Sequence, residues 1–353
     1  MIDIQSIAIY SALAILTYFI AAYAERTQNK KAVWTIVVML SLIAGMRATS
    51  VGIDTKTYEK VIETISSGRV EAMFGIEKSF IYICAVLLKI WNSSAFLFSL
   101  FAFISHSCIL LRIWCERETV SFKWATLTYY IMFFAFSLNG MRQFIAAAIV
   151  IYATKYIKDG KYLKFLIALV LTTLFHTSAV VGIGFLLIDL FYIRTFDKRR
   201  KKKVLSYSFL MIIFSAFLIP KLVDRYADYF EMSSISIGAM VSIKLLMLVL
   251  SLVLIGKPKN NNYLYSYSTY RTYYTIGLIM NSLSYFFLYM GRVGIYYYIF
   301  EAFYIGNIFK MKNKTVWVVL LKIGYAFILL YYMYENLTSS AQGELPYRFF
   351  WQC

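Results

Sequence analysis

The sequence predicts an all-α integral membrane protein, a polytopic bundle of about 12 transmembrane helices, and three observations predict it. Of its 353 residues, 61% are hydrophobic and only 15% charged, against about 45–50% and about 25% in soluble domains. The mean hydropathy is +0.66. Lysines and arginines outnumber aspartates and glutamates 36 to 18 and sit mostly in short loops between apolar runs, as the positive-inside rule requires of cytoplasmic loops. A water-soluble enzyme and an intrinsically disordered chain are both excluded by these numbers. The net charge of +18 suits the anionic headgroups of a cytoplasmic leaflet, so membrane lipids are the expected partners and nucleic acid is not.

Charged punctuation divides the single membrane domain, residues 1–353, into elements. The apolar run 7–22 ends at Glu25-Arg26, with Lys30-Lys31 behind it. Lacking a basic leader, it reads as a first span with its N-terminus outside. Residues 47–78 then form an outer loop and residues 112–123 an inner one. Between these loops lie two apolar runs, 80–91 and 95–111, where parity allows one crossing. The shorter is assigned to a re-entrant or interfacial helix on the outer face. Runs 122–138 and 144–157 flank an outer turn, Asn139-Gly-Met-Arg-Gln143.

Lys155, Lys158, Lys161 and Lys164 mark an inner turn, and the basic cluster 194–203 marks another cytoplasmic loop. The stretch 165–193 between them must therefore be a hairpin, turning at Phe175-His-Thr-Ser-Ala179. Arms of about 13 residues reach about 20 Å into a hydrocarbon core of about 30 Å, which puts His176 at the floor of an outer recess. Spans 204–218 and 235–255 bracket an outer loop, 221–231, and Lys257-Pro-Lys259 returns inside. A span at 273–290 leads out to Gly291-Arg292, and the next run, to Phe309, leads in to residues 310–314. The span 316–334 leaves the tail outside.

Four cysteines, Cys84, Cys108, Cys115 and Cys353, show no CxxC pairing, and His106 and His176 are the two histidines. No metal site and no cofactor are expected from this set. His106 and the tyrosines at 263–274 and 296–298 read as packing residues.

Ionisable groups at the outer mouths of spans carry the functional signal. Arg47 with Asp54, Glu77, Asn139 with Arg142 and Gln143, His176 and Arg292 all fall on the outer face, although none was used to build the topology. Guanidinium groups grip a diphosphate bidentately and keep their charge at any depth. Arg47, Arg142 and Arg292 therefore suit a lipid-linked diphosphate, whose departure they would stabilise when a glycosidic bond is transferred. His176 has the pKa range to take a proton from an acceptor hydroxyl. Asp54 or Glu77 would orient it or serve as the base. Each residue also has an ordinary alternative: interface anchors for the arginines, solvated loop groups for the carboxylates, a helix cap for His176.

In order and spacing, Gly45-Met-Arg-Ala-Thr-Ser-Val-Gly-Ile-Asp-Thr-Lys-Thr-Tyr58, Gly75-Ile-Glu77, Asn139-Gly-Met-Arg-Gln-Phe-Ile-Ala146, Phe165, Phe175-His-Thr-Ser-Ala179, Gly291-Arg292 and Pro346-Tyr347 resemble the EpsG-like, Wzy-type family of bacterial polysaccharide polymerases. The resemblance implies a GT-C-like membrane glycosyltransferase of the bacterial inner membrane, without nucleotide sugar or metal. It would polymerise O-antigen, capsule or exopolysaccharide repeat units carried on undecaprenyl diphosphate as donor and acceptor, with a chain-length regulator as a protein partner. Matching positions make His176, Arg142 and Asp54 the catalytic candidates, and Arg47, Arg292, Glu77, Gln143 and Asn139 the substrate-binding ones. An O-antigen ligase and a transporter of lipid-linked glycans are the alternatives. A transporter should carry polar groups through the bilayer to both faces, whereas the notable groups here collect on one.

Overall fold

A computed structural model describes residues 3–69, 76–194, 239–255, 258, 260–284, 288–311, 316–340 and 342–352. The expected crossing at 204–218, the outer loop 221–231 and the basic cluster beyond Arg194 lie outside the described residues. Backbone satisfaction within the segment is what a bilayer demands, and the described residues are helices, turns and one isolated bridge, Arg47 to Phe349.

Helix α1 (Ile4–Thr27) buries Ser6, Tyr10, Leu13, Ala14, Thr17, Ala21 and Ala24. That stripe recurs every three to four residues and faces the bundle, while Ile15, Leu16 and Phe19 point outward. Gln28 turns left-handed, and the Asn29 side chain caps α2 (Lys30–Gly45) by accepting from the Lys31 N–H at 2.9 Å. Gly45 lies against Ser99 so closely that a Cβ would overlap the serine. This contact fixes where α2 delivers the loop that follows.

The outer loop contains a short amphipathic helix, α3 (Thr55–Ser66), then α4 (Lys78–Ile90), then α5 (Ser94–Cys115). At 13 residues, α4 is about 20 Å long. Its end returns to α3, where the Ser66 hydroxyl bonds the Asn92 side chain at 2.8 Å. Tyr58, Ile62 and Ile65 of α3 and Phe80, Ile81, Cys84 and Leu88 of α4 form a small second core on α5, joined by Met141 and Ile145. Residues 80–91, expected as a re-entrant or interfacial helix, contribute Phe80, Ile81, Cys84 and Leu88 to this cap.

Helices α6 (Phe122–Leu138) and α7 (Met141–Lys158) meet at the short junction Asn139-Gly140. The expected hairpin is present as α8 (Tyr162–Thr173) and a helical stretch that opens as the 3₁₀ turn Thr177–Gly182, continues as α9 (Ile183–Ile188) and closes in the π turn Asp189–Ile193. Helix α10 (Ala239–Ile255) follows.

The span expected at 273–290 is corrected. Helix α11 runs Asn261–Leu283, and a new helix α12 (Leu288–Tyr298) begins before the predicted end, continuing as α13 (Phe300–Lys310). Residues 261–272 are poor in aliphatic side chains and fall outside the expected span. Their tyrosines, serines and threonines nevertheless bury: Tyr267, Tyr270, Tyr273 and Tyr274 pack inside, and Thr272 returns its hydroxyl to the Ser268 carbonyl at 2.7 Å. Helix α14 (Val316–Ser339) ends the helical core. By length and apolarity α1, α5 and α14 qualify as membrane spans, with α8, residues 177–193 and 240–255 as shorter apolar helices.

Two ends of the bundle differ in chemistry. At the basic end Glu116 is buried and pairs with Arg112 at 2.7 Å and Lys158 at 2.8 Å, and Glu25 pairs with Lys310 at 3.1 Å. At the other end the tail 342–350 runs back over the loop 46–53. Ala48 N–H bonds the Arg348 carbonyl at 2.8 Å, Phe350 N–H bonds Met46, Gly52 N–H bonds Gly343, and Tyr347 N–H bonds the Ser6 hydroxyl.

The view that polar groups collect at one end is also corrected. Lys244 of α10 and Glu301 of α13 form an ion pair at 2.9 Å, 1% and 0% exposed. Lys244 also reaches the Tyr298 hydroxyl and the Met132 sulfur, and Tyr325 donates to Glu301 at 2.9 Å. Each group lay singly inside an apolar run, so hydropathy averaging concealed it. The pair is closed within the protein and docks α10, helped by Ser251 on Tyr304 at 2.7 Å. Removing one partner strands a buried charge, at a cost of about 3–5 kcal/mol. Lys244→Met is therefore expected to lower the Tm of the solubilised protein clearly, and Lys244→Met with Glu301→Leu to recover most of the loss. A double variant that melts no higher than the single one contradicts this role.

Candidate functional site

The start of α7 is the centre of the site. Arg47, 3% exposed, spends all three guanidinium nitrogens on the protein: Nη2 donates to the Leu138 carbonyl at 2.9 Å, Nε to the Thr55 hydroxyl at 3.1 Å and Nη1 to the Ala44 carbonyl. The group lies over the Phe98 ring at 4.6 Å. Burial pushes it down to about 10, so it is a cation at neutral pH. Gly52, at φ +91° and pressed on Thr55 and Asn139, makes the turn that brings Asp54 to the junction. The Asp54 carboxylate accepts the Gly140 N–H at 3.1 Å, and its own N–H bonds Asn139 Oδ1 at 3.3 Å. A carboxylate at this place complements the helix dipole of α7, which has no side-chain cap of its own. Asn139 then donates to the backbone and side chain of Gln342 in the tail, at 2.8 and 2.9 Å.

One turn further, Arg142 forms an ion pair with Glu77 at the start of α4. Its guanidinium lies 5.8 Å from the centre of the Phe80 ring, within electrostatic reach of Tyr58. The other oxygen of Glu77 accepts the Thr177 N–H at 3.2 Å. Burial alone would raise the Glu77 carboxyl. The Arg142 guanidinium and backbone N–H groups outweigh it, and the carboxyl is held below its usual range.

His176 caps the 3₁₀ turn: Nδ1 accepts the Ser178 N–H at 3.1 Å and stands 2.8 Å from the Ser178 hydroxyl, which lies 3.0 Å from the Tyr296 hydroxyl. Gln143 donates to the Arg292 carbonyl and so ties α7 to α12. Arg292 itself is on the exposed face of α12.

The predicted residues thus fall into two joined groups. Glu77, Arg142 and His176 converge across α4, α7 and the hairpin turn. Arg47, Asp54 and Asn139 converge on the junction one turn earlier and hold it. Arg292 joins through its backbone. Sequence reasoning missed Tyr58, Thr177, Ser178, Tyr296 and Gln342. Thr177 and Ser178 stood inside the motif already singled out, and their adjacency to His176 was the available signal. His106 packs as expected, its Nδ1 2.6 Å from the Tyr129 hydroxyl. The tyrosine clusters pack too, around Phe185 and Phe300. Among the described residues no three His, Cys, Asp or Glu side chains converge as a metal site.

The model of the EpsG family matches residues 30–349. The chain belongs to the EpsG family. No curated protein and no solved structure matches it. The matched region takes in both groups of site residues, and membership assigns a membrane protein of polysaccharide polymerase type, acting in polysaccharide biosynthesis. In this EpsG-family chain a folded-state carboxyl held below its unfolded value stabilises fully above the unfolded pKa and loses that contribution as pH falls through the folded one. The Glu77 part of the tie between α4 and the hairpin is therefore intact at neutral pH and lost on acidification, while the Ser79 hydroxyl keeps its bond to the Leu174 carbonyl. Thermal melts from pH 7 to pH 3 should show Glu77→Gln starting lower and declining less steeply than wild type. Parallel curves contradict the assignment of that titration to Glu77.

Proposed function

We propose that this protein is a membrane glycosyltransferase of about 12 crossings, GT-C-like, that polymerises undecaprenyl-diphosphate-linked oligosaccharide repeat units at the outer face of the inner membrane. Family membership supports a polymerase of polysaccharides in general. The observation that carries the finer reading is the meeting of Arg142, Glu77 and His176 at one end of the bundle, on three separately held elements. Arg142 is cationic, partly buried and set on an aromatic ring, and its Nε–H is buried without a hydrogen-bond acceptor. A donor in that condition suits an incoming anion.

In this reading the acceptor hydroxyl oxygen bonds the anomeric carbon of the growing glycan. The bond from that carbon to the diphosphate oxygen breaks, and the lipid diphosphate leaves with the electron pair. Arg142 stabilises the charge that develops on the leaving group. His176, assigned from sequence as the base, takes a different part. Its Nδ1 accepts the Ser178 N–H, so the neutral ring carries its hydrogen on Nε2 and serves as a donor to the diphosphate. The proton of the acceptor hydroxyl then goes to a carboxylate, Asp54 or Glu77. Arg47 and Asn139 act through the backbone they hold.

Arg142→Ala and His176→Ala should each cut transfer by at least about 100-fold and abolish long glycan chains, with wild-type amounts of protein in the membrane. Glycan length on gels from complemented cells is the readout. Normal chain length in both variants ends the proposal. If single repeat units also disappear from the lipid A-core, the protein is a ligase instead.

A further inference from the structure

The place occupied by the Glu77 carboxylate is itself an anion site. One oxygen is on the Arg142 guanidinium, and the other is on the Thr177 N–H at 3.2 Å, with the Thr177 hydroxyl 3.5 Å away. His176, the residue that caps the turn, is adjacent. These donors come from two elements: Arg142 from α7, and Thr177 from the 3₁₀ turn that His176 caps. A side-chain cation, a backbone N–H at a helical start and a hydroxyl are the set that proteins use for a phosphate oxygen. Glu77 makes no capping bond to the first turn of α4; its local bond is to its own backbone N–H. The Arg142 Nε–H beside it lacks an acceptor, which means that one carboxylate does not exhaust the site. A diphosphate, with more oxygens and more charge, would.

We propose that Glu77 is an internal stand-in for the substrate diphosphate: it occupies Arg142 and the Thr177 N–H in the empty protein and is displaced when a prenyl diphosphate binds. The inference rests on the reading of Arg142 as the diphosphate-binding cation and adds a competitor that sets its affinity. Substrate entry then removes one of the two bonds between the start of α4 and the hairpin turn, leaving the Ser79 hydroxyl on the Leu174 carbonyl at 2.7 Å. It also frees a carboxylate beside the reacting atoms at the moment the donor is in place.

The test uses the full-length protein in detergent, with farnesyl diphosphate and inorganic diphosphate as probes, by titration calorimetry. Glu77→Gln removes the competing charge and should bind farnesyl diphosphate about tenfold tighter than wild type. Glu77→Asp, too short to span both donors, should gain severalfold and serves if the glutamine variant does not fold. Arg142→Gln should lose binding. A gain shared by inorganic diphosphate marks the headgroup alone as the ligand, and a gain confined to farnesyl diphosphate marks the lipid-borne form. If Arg142→Gln loses binding while neither Glu77 variant gains, the stand-in is wrong and the diphosphate site stands. If Arg142→Gln binds as wild type does, the reading beneath it fails as well.

Discussion

An ion pair, Arg142 with Glu77, fixes where the smaller part of this protein meets the larger one. Arg142 belongs to α7 in the main bundle, and Glu77 begins α4 in the smaller cap of α3 and α4. Through its second oxygen Glu77 also holds the turn that presents His176. In a bilayer-facing protein the hydrophobic effect does not press helices together as it does in water, so polar contacts of this sort carry much of the positional information. The cap is apolar on its inner side, but one charged contact determines where its first residue meets the bundle.

That contact needs α7 to start in a defined place, and three polar residues make it do so. Arg47 holds the carbonyl of Leu138, Asp54 takes the Gly140 N–H, and Asn139 reaches Gln342 in the tail. Gly52 supplies the turn and Gly45 the close approach of α2 to α5 that aims it. A buried arginine with every nitrogen committed is a rigid post rather than a mobile ligand. The site is thus held from behind by groups of the same types as those in front, which is why charge and position alone grouped them together.

Much of this was legible in the sequence. The composition and the loop charges predicted a helical membrane protein, and the hairpin turn at 175–179 stands where the lysines placed it. Residues 261–272 were not legible as helix, because hydropathy counts tyrosine and threonine as polar while a bundle buries their rings and returns their hydroxyls to the backbone. Lys244 and Glu301 were hidden for the converse reason: single charges vanish in an apolar average, and their pairing spans 57 residues. The candidate residues were grouped by type and by face, but their division into those that hold α7 and those that meet beyond it depends on hydrogen bonds that no spacing encodes.

The account depends on one end of the bundle, bearing both groups of site residues, facing away from the cytosol. Single cysteines at Ile53, Thr177 and Lys161, all exposed, in a background with the native cysteines replaced, test this with a membrane-impermeant maleimide on intact spheroplasts. Positions 53 and 177 should label without permeabilisation, and position 161 only after it. Labelling of 53 and 177 from opposite sides of the membrane, or of both only after permeabilisation, would contradict the account.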